Sequence, residues 1–301
     1  MASSTHVFAT PSGSRLAAPV ALRPRAGGFG RRLLDNQAAL IGLGIVAVYV
    51  LLAMAADWLP LRSPTQMAGA SRLAGPSWSM PLGVDSFGRD LLSRLVFGAR
   101  LSLEVAFWSV LIALVVGSLL GLVAGYAGGW LDQVIMRIMD VFFAFPAVLL
   151  ALGVVAALGP NPFNVIIAIG IVYTPIFARV VRGPVLAVKE REFVEAARAL
   201  GARASRILAR HVLPNLLSVL IVQTSIALSW AILTEAALSF LGLSAQPPAP
   251  SWGVMLNEGR QNLELAPHLA IFPGLAIMLA VLGFNLLGDG LRDVLDPRLR
   301  P

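Results

Sequence analysis

The chain has 301 residues, of which 57% are hydrophobic and 13% charged, with 23 Lys or Arg against 16 Asp or Glu and a formal net charge of +7. Soluble domains sit near half apolar and a quarter charged, and no water-soluble fold hides this much apolar surface, so a soluble domain is excluded and a membrane protein is implied. The basic excess follows membrane topology rather than a clustered basic face, which argues against a nucleic-acid partner, and the absence of cysteine leaves neither disulfides nor thiolate chemistry.

Residues 1–32 are rich in Ser, Ala, Pro and Arg without apolar periodicity, the pattern of a flexible tail. Arg31-Arg32 ahead of an apolar run resembles an export signal, but an uncleaved first helix of a polytopic protein accounts for it better. A span needs about 20 mostly apolar residues, and six windows qualify, at 38–56, 101–124, 137–158, 163–181, 216–241 and 269–287. The predicted fold is therefore all-α with six transmembrane helices. Residues 33–100 hold the first span and an outer loop, 101–288 a five-helix core, and 289–301 a C-terminal tail.

Within the outer loop, Asp85 or Ser86 is placed to cap a short interfacial helix. Asp90 and Arg94 stand there at i and i+4, and Phe87, Leu91, Leu92, Leu95 and Val96 share an apolar side. The same residues also read simply as a ramp leading into the second span. In that span Gly117, Gly121 and Gly125 recur every four residues, a spacing that lets another helix backbone come close. Pro146 and Pro175 interrupt the third and fourth spans and free backbone carbonyls, as hinges and cavity walls do in transporters.

Two carboxylates fall in or near apolar segments, Asp140 toward the inner end of the third span and Glu235 in the fifth. A carboxylate at membrane depth is costly and points to function. Glu235 reads either as a structural hydrogen-bonding group or as part of a translocation path or gate. Neither residue has a basic partner inside a span, and the two halves share no period, which argues against an ion-gradient-driven secondary transporter.

Between the fourth and fifth spans lies KEREFVEAARALGARASRILARHVLPN, residues 189–215. Residues 194–200 predict one helix, Gly201 a tight Cβ-free turn, and 205–212 a second helix bearing Arg206 and Arg210. Pro214 cannot continue the hydrogen bonding and is expected to bend the chain into the fifth span. Basic residues accumulate on the cytoplasmic side of short loops. With the N-terminus inside, 17 of the 23 basic residues fall inside, so both termini and this loop are placed in the cytoplasm.

Enzyme chemistry finds no support. His6, His211 and His268 lie on a tail, an inner loop and an outer loop, so no His-based metal site forms. No phosphate-cradling G-x-x-x-x-G-K-[ST] loop is present, so the chain is not expected to hydrolyse ATP, and no cofactor is expected to bind to it.

The segment from Glu195, Ala196 and Ala197 through Gly201 to His211, Leu213 and Pro214 resembles the cytoplasmic EAA loop of bacterial ABC importer permeases, E-A-A-x3-G-x9-I-x-L-P, with His211 in place of the Ile. PLGVDSFGRDLLSRLVFGARLSL, EAALSFLGLSAQPPAPSWGVML and FNLLGDGLRDVLDPRLR are similar to the C-type permease of the dipeptide, oligopeptide and nickel family. The resemblance implies a type I importer permease fold in a bacterial inner membrane. It also implies a homologous B-type permease, two cytoplasmic ATPases using ATP and Mg, and an extracytoplasmic binding protein as partners. Its cargo would be peptides or, alternatively, nickel or glutathione. On this resemblance Glu195, Ala196, Ala197, Gly201, Arg206, His211, Leu213 and Pro214 form the contact through which the ATPases drive transport.

Overall fold

The computed structural model describes residues 29–67 and 71–295; most of the expected N-terminal tail and the last six residues lie outside them. Described residues 29–32, assigned to the tail by composition, instead belong to a short helix α1 (Phe29–Asp35). Asn36 then caps α2 (Gln37–Ala55), its Oδ1 accepting the Ala39 N–H at 3.0 Å and satisfying one of the unpaired donors of the first turn.

The outer ramp and the second span are one helix, α3 (Leu91–Ala127), capped by Asp90 through the Ser93 N–H. No separate interfacial helix forms, because nothing between Val96 and Leu103 breaks helical bonding once Asp90 has started it. At 1.5 Å per residue its 37 residues extend about 55 Å, well beyond a hydrocarbon layer of about 30 Å. Asp85 caps no helix; it folds the preceding turn by accepting the Phe87 and Arg89 N–H groups, both at 2.9 Å.

Arg94 likewise ignores Asp90. Its guanidinium reaches Glu258 at 2.9 Å and Asp85 at 3.3 Å, while Arg89 pairs with the same two carboxylates at 3.2 and 2.6 Å. The Arg94 side chain is almost wholly buried, so removing it strands carboxylates in a dry environment, a loss of about 3–5 kcal/mol. Arg94→Met is therefore expected to lower the detergent-solubilised unfolding midpoint sharply. Arg100→Ala, which breaks a pair with the largely exposed Asp57 and a bond to the Ala53 carbonyl, is expected to lower it far less.

The window at 137–158 is not one helix. It divides into α4 (Gly129–Phe143) and α5 (Ala147–Leu158), inclined by 91° across Ala144, Phe145 and Pro146. Pro146 supplies no donor and disfavours helical backbone at Phe145, so the break sits at the proline. Among the described residues five helices are long and apolar enough to cross a membrane, or six if the broken pair counts as one.

Asn161 caps α6 (Pro162–Lys189), which contains Pro175 and Pro184 and packs along α3. A Cβ at Gly117 would stand 2.4 Å from the Thr174 carbonyl oxygen, at Gly121 2.4 Å from that of Ala178, and at Gly125 2.9 Å from Val185 Cβ. The glycine face of α3 thus lies directly on the backbone of α6. A second close seam joins α2 to the last helix: a Cβ at Gly42 would meet the Leu287 nitrogen at 2.4 Å, and one at Gly290 the Ala39 Cβ at 2.4 Å.

After α7 (Glu192–Ala199) come α8 (Ala204–Ile207), a wide turn (Leu208–Val212) and α9 (Leu213–Phe240). The expected bend at Pro214 is absent, and residues Ala204–Phe240 run on as one 37-residue helix. In the wide turn the Leu213 N–H bonds to the Leu208 carbonyl, five residues back rather than four. That geometry moves the carbonyls that the Pro214 ring would strike and accommodates its missing donor. At the opposite end of the bundle lie α10 (Trp252–Arg260), capped by Ser251, and the start of α11 (His268–Leu295).

Candidate functional site

The knob at 189–213 is built on three buried side chains. Val194 from α7, Ile207 from α8 and Val212 from the wide turn are fully enclosed and join the main core. Gly201 closes α7 with φ of +76°, a conformation that side-chain-bearing residues avoid. The Ala202 N–H reaches the Ala197 carbonyl at 3.0 Å and the Gly201 N–H that of Arg198 at 2.9 Å, the paired bonds of a Schellman cap. Two aromatic contacts tie the knob down: Arg198 lies 5.2 Å over the Tyr126 ring near the end of α3, and the Phe193 and His211 rings are 6.0 Å apart.

The turn leaves a compact outward face. Glu195, Ala196, Gly201, Arg206 and Pro214 are exposed, Ala197 and His211 are half-buried, and Leu213 packs on the core. Among the described residues Glu195 has no side-chain hydrogen bond or salt bridge, so an intraloop pairing does not occupy its carboxylate. Leu200 is 88% exposed, and with Phe193 at 41% it gives the face an apolar component. Motif matching passes over Leu200, although an apolar residue inside a charged loop outside the spans is the available signal.

The remaining candidates are distributed. Asp140 pairs with Arg179, whose guanidinium also lies 3.9 Å over the Phe143 ring; the expectation that Asp140 lacks a basic partner is therefore corrected. About two helical turns earlier on α4, Asp132 accepts both Arg182 Nε and Nη2, at 2.6 and 2.7 Å. Both pairs form because the break at Pro146 leaves α4 lying against α6, bringing together residues 39 and 50 apart in sequence. A cleft of about 630 Å³ opens beside them, lined by Trp130, Gln133 and Arg137 among others. Pro175 is buried in the α3–α6 seam next to Thr174, and Pro146 stands at the α4–α5 break. Glu235 is fully buried near the other end of α9, where the Ser239 hydroxyl donates to it at 2.6 Å.

Residues 117–301 match the model of the binding-protein-dependent transport system inner membrane component. The chain belongs to this permease family. Residues 27–76 match the N-terminal transmembrane domain of oligopeptide transport permease C, so the permease is of the C type. It is 49% identical over 270 residues to the dipeptide transport system permease protein DppC of Alkalihalophilus pseudofirmus, covering 90% of this chain and 89% of that one. It is equally 49% identical over 273 residues to the glutathione transport system permease protein GsiD of Pectobacterium atrosepticum, covering 90% and 91%. The inward-facing MetNI methionine ABC transporter shares its fold, with a TM-score of 0.55 over 68% of the permease and 98% of that chain at 22% identity. The permease is thus a multi-pass inner-membrane component of an ABC importer.

Proposed function

We propose that the permease forms half of the translocation pathway of an ATP-driven importer of dipeptides or other short peptides, and that the 189–213 knob seats in an ATPase subunit. The observation that supports this most is the exposed surface of the knob, which presents an unpaired Glu195 and an exposed Leu200 on a base anchored by Val194 and Ile207. A surface so built offers a charge and an apolar contact to a partner while its own backbone stays fixed. On this reading both termini are cytoplasmic and a homologous B-type permease completes the pathway. Two ATPases consume ATP and Mg, and a binding protein delivers cargo outside. The peptide assignment draws on the dipeptide relative; glutathione and nickel are the alternative cargoes.

An ion-gradient mechanism would place paired ionisable groups at mid-membrane. Asp140 and Arg179 form one ion pair between α4 and α6, and Glu235 has no basic partner among the described residues. The test is reconstitution of the permease with its partner permease, ATPases and binding protein in proteoliposomes, offering a labelled dipeptide, glutathione and nickel in turn. ATP-dependent dipeptide uptake that needs all the partners supports the proposal. Gradient-driven uptake by this chain alone overturns it.

A further inference from the structure

Glu235 is the end point of a directed chain of hydrogen bonds. The Val254 N–H in the first turn of α10 donates to Ser251 Oγ at 3.2 Å, Ser251 Oγ donates to Ser239 Oγ at 3.1 Å, and Ser239 Oγ donates to Glu235 Oε1 at 2.6 Å. All three side chains are fully buried. Each hydroxyl accepts once and donates once, so the polarity of the chain is fixed and it must finish on an acceptor. Because it begins on the unpaired amides of a helix N-terminus, it also directs that positive pole at the carboxyl group.

The chain crosses a contact with no slack. A Cβ on Gly253 would stand 2.3 Å from the Ala236 carbonyl oxygen, so the first turn of α10 rests on the backbone of α9. The same turn is held to α3, with the Trp252 indole donating to the Leu95 carbonyl at 3.1 Å and the Trp252 N–H meeting Ser102 Oγ at 3.4 Å. At the far end of α10, Glu258 is gripped by Arg89 and Arg94. The helix that carries Glu235 is the one that begins in the knob, at Ala204.

We infer that Glu235 is a positioning residue: through Ser239 and Ser251 it fixes α10 to the outer end of α9, so that displacement of the knob reaches the outer face as movement of α10. This rests on the importer reading above for its direction of drive. On this inference Glu235 acts as a buried acceptor through Oε1 rather than as a group on the translocation path. What position 235 requires is a hydrogen-bonding oxygen, which glutamine supplies and leucine does not.

The experiment measures solute uptake and ATP hydrolysis in the same proteoliposomes, using the full complex and a labelled dipeptide. Glu235→Gln is expected to stay within about twofold of wild type, whereas Glu235→Leu loses about tenfold in solute moved per ATP while hydrolysis continues, the scale expected for one unmade buried hydrogen bond. Ser239→Ala interrupts the chain midway and should follow Glu235→Leu. The absence of native cysteine allows spin labels to be placed cleanly through Leu241→Cys and Asn257→Cys. Their distance distribution should be narrow in wild type and Glu235→Gln and broad in Glu235→Leu.

Loss of uptake in Glu235→Gln as complete as in Glu235→Leu would return the residue to the path as a needed charge. An unbroadened distribution in Glu235→Leu, or equal falls in uptake and hydrolysis with less complex recovered, would also overturn the inference. Failure of wild type to take up solute with ATP would instead count against the importer reading, because the spin-label comparison does not depend on transport.

Discussion

Glu195→Lys is expected to reduce ATP-driven uptake to background while the amount of membrane-inserted permease stays unchanged. The carboxylate is exposed at the first turn of α7 and has no side-chain partner among the described residues, so its reversal costs the folded subunit only the helix-dipole contribution of about 0.3–1 kcal/mol. On the proposed docking the charge pairs with a basic group on the ATPase. Truncating one side of such a pair costs about 2 kcal/mol or more, roughly thirtyfold in affinity, and a reversed charge adds repulsion. Quantifying ATPase subunits that copurify with the tagged permease checks the claim. Full recovery of the ATPases together with normal uptake would remove Glu195 from the coupling contact.

Gly121→Leu should have the largest effect on the fold itself. Its Cβ alone would lie 2.4 Å from the Ala178 carbonyl oxygen and 2.9 Å from Val181 Cβ, so α3 and α6 must separate to admit the side chain. Overpacking of a close seam costs about 1–3 kcal/mol and more where backbone is the obstacle. The matched control is Gly153→Ala in α5, where no atom lies within 4 Å of the new methyl group and the helix gains about 0.5–1 kcal/mol from reduced chain entropy. Thermal unfolding of the purified protein in detergent should show the first falling well below wild type and the second at or above it.

These two sites show what the amino-acid order makes readable. The glycines of α3 are spaced four apart on one helix, so their face is visible without knowing the partner. The α2–α11 seam depends on the single small residue Gly42 meeting the backbone at Leu287, separated by most of the chain, and no local pattern announces it. Apolar windows located the spans but not their true ends. The start of α3 is fixed by the Asp90 cap outside the apolar band, and the third window fails as a single helix because Pro146 outweighs hydropathy.

Charge partners were the least legible. Arg94 has Asp90 four residues before it, yet its actual partners are Asp85 and Glu258, the latter 164 residues away. Asp140 looked isolated because Arg179 lies on a helix that reaches it only after the α4–α5 break. At the knob, the turn at Gly201 and the Glu195 face could be anticipated from residue chemistry and motif. The wide turn could not, since it arises where Pro214 must be accommodated within a helix that tertiary packing keeps unbroken.

That wide turn sets the angular relation between the knob and the spanning helix. One additional residue is spent between Leu208 and Leu213, so side chains on either side are out of phase by about 100° compared with an uninterrupted α-helix. The direction in which Ile207 points into the knob and that in which Leu216 points into the bundle are thus independently adjustable by a single residue's winding. Shortening the turn to regular pitch would leave the length of the helix almost unchanged while rotating everything beyond it, Glu235 included. The permease therefore carries, between the knob and its outer face, a torsional setting that neither end alone determines.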